Sequence, residues 1–266
     1  MNKEHLEFIK KYKHKKRLII LSQFILLITF ILLWEVLTSL NVLEEFIFSK
    51  PSKIFKLFIE YLSNNMLLKH TLVSTYEVIL GLFFGTSLGL VIAIILYEVP
   101  IVAKILDPFL IVFNALPKTA LAPILIIWVG ANIKGILIVS ISISLIITII
   151  NSLNAFNSID KDKIKLFQTF KATKLQTLWY LILPANKTEI LNIIRINIGM
   201  SWIGVIVAEF IVSKEGLGYL ITYGTQIFRL DIVMMGIVTL AIITMAMYKM
   251  LNVIAKILMK NKGKEE

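Results

Sequence analysis

Cysteine is absent from these 266 residues, and histidine occurs only at His5, His14 and His70. The first absence excludes a disulfide framework, a thiolate metal site and a cysteine nucleophile. The histidines show no HExxH pattern and no pair at ligand spacing, which removes the usual imidazole metal sites. No GxxxxGK[ST] phosphate loop occurs either, so the chain is not expected to hydrolyse ATP or to be an enzyme. Acidic residues are scarce, 17 against 28 Lys and Arg, for a net charge of +11.

What is abundant is apolar sequence. At 58% hydrophobic residues and a mean hydropathy of +0.84, the chain is too apolar for a soluble domain. A bilayer core about 30 Å thick needs roughly 20 apolar helical residues. Runs of that size recur at about Leu18–Leu40, His70–Val99, Ile101–Val129, Ile133–Phe156, Ile190–Val212 and Ile232–Met259. Barrel strands would alternate apolar and polar residues, whereas LIILSQFILLITFILLW is apolar on every side. The expected fold is an all-α integral membrane protein with six transmembrane helices.

The cations orient this bundle. Seven Lys and Arg precede Leu18, six lie in the connection from Lys161 to Lys187, and five follow Met247. With Lys104 these place nineteen on one side against seven on the other, so both termini and the fourth loop are expected in the cytoplasm of a plasma-membrane protein. The charge follows topology rather than forming a stripe, which argues against nucleic acid as a partner. The N-terminal apolar run is too long for a signal peptide and lacks a small-x-small cleavage site, so it is read as a retained helix. The chain divides into residues 1–69 (cytoplasmic tail, first helix and external amphipathic segment), a five-helix core over 70–259, and a cytoplasmic tail over 260–266. The external segment is Pro51–Leu62, where Ile54, Phe55, Phe58, Ile59 and Leu62 interleave with Lys and Glu.

The fourth loop is too long for a simple turn. Leu166, Phe170, Leu175, Leu178 and Leu181 suggest one apolar side of a helix, with Lys161, Lys163, Lys165, Lys171 and Lys174 on a basic one. Either anionic lipid or a protein partner suits that pattern. Pro108, Pro117 and Pro123 each remove a hydrogen-bond donor from the third span. That span is read as a gate along a wet path or as a kinked packing helix. Gly81, Gly85 and Gly89 leave one face of the second span bare for close helix approach. Ionisable residues inside spans carry functional hypotheses: Glu35, Glu77, Asp107, Lys118, Arg195 and, deepest in the fifth helix, Glu209, with Asn114, Ser201 and Trp202 as polar neighbours.

The segment KLFQTFKATKLQTLWYLILP (Lys165–Pro184) resembles the EAA loop of type I ABC transporter permeases. Its closing Ile-x-Leu-Pro pattern is matched by Leu181, Leu183 and Pro184. Its opening departs from the pattern, with Lys165 at the Glu position, Leu166 and Phe167 at the two Ala positions and Lys171 at the Gly position. Lysine there meets the steric cost of a left-handed turn that glycine avoids. Four further segments are similar to the nitrate/sulfonate/taurine branch: WEVLTSLNVLEEFIFSKPSKIF, GLFFGTSLGL, NALPKTALAPILIIWVG and WIGVIVAEFIVSKEGLGYLI. Glu77 stands where that branch often carries Arg.

The resemblance implies a permease subunit of an ATP-driven importer. Lys165, Phe167, Gln168, Thr169, Lys171, Ala172, Thr173, Leu183 and Pro184 would belong to the coupling helices between helices 4 and 5, seated on the ATPase. Asn114, Pro117, Ser201, Trp202 and Glu209 are assigned to the translocation path or gate, and Gly216–Tyr219 to an external turn. The chain would bind no cofactor, ATP and Mg residing on two copies of the ATPase. A second permease copy (a homodimer), an extracytoplasmic substrate-binding protein and membrane lipid complete the partners. The solute is expected to be nitrate-, sulfonate- or taurine-like, with a vitamin precursor or related heterocycle as the alternative. From the residues themselves a self-sufficient secondary transporter or channel, a membrane scaffold, and a permease-like subunit with degenerate coupling remain open.

Overall fold

The computed structural model describes residues 3–260, all of whose regular elements are helical. The first helix, α1 (Lys3–Ser39), is followed by a short α2 (Glu45–Phe48), α3 (Pro51–Ser63) and the long α4 (Met66–Glu98). The expected third span is divided into α5 (Pro100–Ala115) and α6 (Lys118–Val129), bent by 99° at the break. After α7 (Ile133–Asn157) come α8 (Lys161–Thr169), α9 (Lys174–Thr177), a π-helical turn (Leu178–Ile182) and α10 (Leu183–Ala185). Then follow α11 (Lys187–Val212), α12 (Leu217–Gln226) and α13 (Leu230–Lys260). The 260–266 tail lies, from residue 261 onward, outside the described residues.

Among the described residues five helices are long and apolar enough to cross a membrane, or six spans if α5 and α6 count as one. The break expected from the prolines of the third span falls between α5 and α6. Pro117 has no N–H to continue the ladder of α5, and it stands at the break with α6 starting at the next residue. Pro108 and Pro123 remain inside α5 and α6.

The centre of the bundle is the trio α4, α7 and α11. Lipid is as apolar as leucine, so close packing rather than the hydrophobic effect joins helices here. Gly81, Gly85 and Gly89 of α4 face Ser140, Ser144 and Thr148 of α7, and the near approach leaves no room for a Cβ. Gly204 of α11 comes as close to the α7 backbone, since a Cβ there would lie 2.5 Å from Ser140 Cα. The hydroxyls in this seam do not remain free. Ser144 and Thr148 donate back to the carbonyls of Ser140 (3.0 Å) and Ser144 (2.7 Å). Val78, Val139, Val205, Ala208, Leu217 and Met235 complete the main core. A second, smaller cluster of Ala93, Phe156, Leu178 and Ile182 sits at the fourth-loop end of the bundle.

Outside this core, α3 packs on α4 and α13, and α12 on α11 and α13. Glu35 of α1, counted above among intramembrane charges, caps α3: its carboxylate accepts from the Ser52 N–H (3.0 Å) and hydroxyl (2.7 Å). From Leu18 to Leu33 the apolar stretch of α1 is exposed on the isolated chain, while Trp34 packs against the core.

Candidate functional site

Three places collect the polar groups that a helical bundle in lipid would not keep without a role. The first is the junction of α4, α11 and α12. Glu209 is 1% exposed and Glu77 4% exposed. The Ser74 hydroxyl donates to Glu209 Oε1 (2.5 Å) and accepts from the Leu217 N–H (2.7 Å). Gly218 N–H donates to Glu209 Oε2 (2.5 Å), and Gly216 N–H donates to His70 Nδ1 (3.0 Å). The leading amides of α12, which no helical carbonyl can satisfy, are thereby held by side chains of α4 and α11. Segment Gly216–Tyr219, expected to be a turn, is instead the capped start of a ten-residue helix, and only Gly216 has turn geometry, with φ of 109°.

Sequence reasoning singled out Glu209 and Glu77 but missed His70 and Ser74 as their companions. The signal was present: His70, Ser74 and Glu77 fall at i, i+4 and i+7, one face of a helix. Ser201 and Trp202 sit deeper in α11. Ser201 is fully buried with its hydroxyl unpartnered, and Trp202 Nε1 donates to Met247 Sδ (3.3 Å). A further buried cluster escaped notice: Asn197 of α11 donates to Thr86 (2.8 Å) and Thr148 (2.6 Å), tying the trio together.

The second place is the α5–α6 break. Asn114 and Pro117 are exposed, and half-buried Lys118 donates to the Asn114 carbonyl at 3.0 Å. This puts an ammonium group at the one broken span.

The third is the loop between α7 and α11. Asp160 caps α8 by accepting from the Asp162 N–H (2.9 Å), and Lys165 pairs with Asp162 (3.0 Å). Thr173 and Gln176 form a capping box at α9, with bonds of 2.7 and 3.2 Å. Between the two helices Lys171 adopts φ of 55°, so the left-handed turn forms although lysine replaces glycine. Ala172 N–H closes it on the Phe167 carbonyl (3.1 Å). The single apolar side expected across this loop does not exist. The segment is two helices on either side of Lys171 rather than one, and Leu178 is buried while Leu166, Phe170 and Leu175 are exposed, Phe170 at 78%. Phe167 and Leu183 are half-buried; Gln168, Thr169 and Pro184 are exposed. The three places do not converge on one catalytic centre, and among the described residues no group of three or more His, Asp or Glu is placed to hold a metal.

Residues 85–263 match the family described as the binding-protein-dependent transport system inner membrane component. The chain belongs to this family of ABC transporter permeases. Within it, the chain is similar to the putative aliphatic sulfonates transport permease protein SsuC of Bacillus subtilis, 30% identical over 89% of this chain and 86% of that protein. It is 29% identical to the taurine transport system permease protein TauC of Escherichia coli, over 64% of this chain and 62% of that protein. The riboflavin transport system permease protein RibX of Chloroflexus aurantiacus is 25% identical over 88% and 87%. The permease is therefore of the nitrate/sulfonate/taurine-type branch, a multi-pass membrane component of an ABC importer for a small solute rather than an enzyme. A self-sufficient transporter and a scaffold are set aside by that membership.

Proposed function

We propose that this permease forms the translocation path for a small sulfonate- or taurine-like solute, with α8–α10 as its coupling helices on a separate ATPase. The observation that carries the coupling reading is the loop's exposed apolar tip. Phe170, Leu166 and Leu175 stand clear of the chain beside a fixed left-handed turn, held by two helix caps. Apolar side chains on an ordered, water-facing loop support a protein partner more than lipid. Lys161, Lys163, Lys165, Lys171 and Lys174 give the partner's cleft an acidic character, and Lys165, Phe167, Gln168, Thr169, Ala172, Thr173, Leu183 and Pro184 complete the docking unit. Two ATPase copies bind ATP and Mg. Two copies of this chain enclose the path, and an extracytoplasmic binding protein delivers the solute.

In this reading both termini and the coupling loop are cytoplasmic. Residues 70–259 form the core, 1–69 an arm and 260–266 a tail, and the bent α5–α6 pair is a sixth, broken span. Broken helices at membrane depth occur where protein buries them or a wet cavity meets them, so Asn114 and Pro117 line the path, and Lys118 favours an anionic solute there. Ser201, Trp202 and Glu209 act on the external gate from within the subunit. ATP binding closes the ATPase pair, the coupling helices follow, and the bundle changes the side to which it opens.

The similarity to a riboflavin transport permease supports a second reading, a heterocyclic vitamin or its precursor. The test is purification of the tagged chain in mild detergent from its native membrane, followed by reconstitution with the co-purifying proteins. A co-purifying ATP-binding protein, and ATP-driven uptake of taurine but not riboflavin, is the expected result. Uptake of riboflavin alone would select the second reading, and intact permease without any ATPase would overturn the coupling reading.

A further inference from the structure

Three consecutive amides open α12, and each is held by a different kind of acceptor. Gly216 N–H donates to His70 Nδ1 (3.0 Å), Leu217 N–H to the Ser74 hydroxyl (2.7 Å) and Gly218 N–H to Glu209 Oε2 (2.5 Å). A proton affects the three unequally. A hydroxyl takes none up near neutrality, and a carboxyl group that does so still keeps lone pairs with which to accept. An imidazole nitrogen has a single lone pair, so at His70 Nδ1 a proton and the Gly216 N–H compete for the same place. Accepting there puts the hydrogen of the neutral ring on Nε2, and a proton on Nδ1 would leave two donors facing each other. The Gly216 amide is closely fixed in its aim: the residue is buried with φ of 109°, and a Cβ on it would collide with the Glu209 carboxylate.

His70 itself is 7% exposed, but it lies near the start of α4 beside Lys69, whose ammonium group forms an exposed ion pair with Glu215 (2.6 Å). Water therefore reaches this end of the bundle. The other charged and titratable groups nearby in the fold are Glu77 of α4, Glu209 of α11, Lys214 ahead of α12, and Tyr219 and Tyr223 of α12. The Tyr219 ring lies 5.7 Å from the imidazole. Of the remaining helices packed on α4, α3 carries Lys53, Lys56, Glu60 and Tyr61, and α7 carries Lys134 in its first turn. Among the described residues none of the carboxylates bonds the His70 ring, so an imidazolium there gains no ion pair in exchange for the bond it gives up.

We infer that His70 is an acid-released latch on α12: the neutral ring holds the Gly216 amide, and the imidazolium lets the first turn go. Imidazole changes charge between about pH 5 and pH 8, so the latch is closed at the alkaline end of that interval and released at the acid end. It rests on the packing of α4 against α12 and not on the identity of the solute or the ATPase. In the orientation proposed above, it reads the pH outside the cell.

Nitrogen-15 NMR of the full chain in lipid nanodiscs, labelled at histidine and glycine, tests it across that interval. Replacing His5 and His14 by Gln leaves His70 as the one histidine signal. At the alkaline end the ring is expected as the Nε2-protonated tautomer. As it becomes imidazolium, hydrogen exchange at Gly216, taken relative to an unstructured chain at the same pH, should accelerate about ten- to a hundredfold, the effect of stranding a buried donor. His70→Asn offers an oxygen in place of Nδ1 and does not titrate, so its relative exchange at Gly216 should stay level with pH. An Nδ1-protonated tautomer at the alkaline end, a ring that stays neutral throughout, or Gly216 protection that is unchanged as the ring charges would overturn the latch. So would the same acid response in His70→Asn. Should that variant not fold, the titration of the chain that keeps His70 decides alone.

Discussion

The α4–α11–α12 junction and the α8–α10 loop are both rich in polar side chains, yet they are built on opposite terms. At the junction the leading amides of α12 have acceptors within the chain: His70, Ser74 and Glu209 hold Gly216, Leu217 and Gly218 at 2.5–3.0 Å. In the loop, the local bonds are spent on capping α8 and α9, while Phe170, Leu166, Leu175 and most of the lysines face outward. The leading amides of α12 are satisfied within one subunit, and the loop's apolar side chains are left exposed on it. Buried polar groups must be satisfied within the fold, whereas a surface that keeps its shape through caps alone can leave its apolar groups for another protein.

Substitutions at the junction should therefore unsettle the subunit, and those in the loop should spare it. The largest effect is expected for Gly218→Val. A Cβ there would lie 2.7 Å from Glu209 Cβ and 2.9 Å from the Ile206 carbonyl, so α12 must move. A loss of about 3 kcal/mol or more, seen as a collapse of the thermal melt in detergent, is expected. Glu209→Ala comes next. It strips acceptors from Gly218 N–H and Ser74 and should lower stability by about 2–3 kcal/mol in the same assay. If either variant melts like the wild type, the contrast between the two regions fails.

In the loop, Lys171→Gly should stabilise rather than destabilise, by about 1 kcal/mol, because glycine relieves the left-handed backbone at φ of 55°. Phe170→Ala should change the melt by less than about 0.5 kcal/mol, as its ring is largely exposed. It should nonetheless weaken ATPase association about tenfold or more in a binding titration. The smallest effect belongs to the exposed Lys69–Glu215 pair. The Lys69 ammonium, 2.6 Å away, holds the Glu215 carboxyl below its ordinary value of 4.5. A lowered carboxyl contributes above the unfolded-state value and ceases to as acid titrates through the folded-state one. The melts of Lys69→Ala and wild type should differ slightly at neutral pH and coincide in acid.

The sequence revealed the fold class because lipid imposes it: apolar runs of helical length have few alternatives in a bilayer. Helix ends were read to within a few residues for α7 and α11, where caps or charges bound the apolar run, and less well for α1, whose helix extends into the basic tail. The expected amphipathic helix after the first span is α3. Harder to read was anything that depends on two distant segments meeting. Glu35 looked like an intramembrane charge and is the cap of α3. Five leucine and phenylalanine positions looked like one face of one helix, and the left-handed residue at Lys171 divides that segment into two helices.

Composition and periodicity alone determined that this protein is a helical membrane bundle, and its motifs pointed to the permease family, since both are encoded within short stretches of chain. Only the tertiary structure decided what each polar residue touches. That the third span bends by 99°, that Ser74 meets Glu209, and that α12 begins on side chains from α4 and α11 depends on helices separated by up to about 140 residues coming together. A hydrogen bond is made by distance and direction in space, and no local pattern in the chain specifies either.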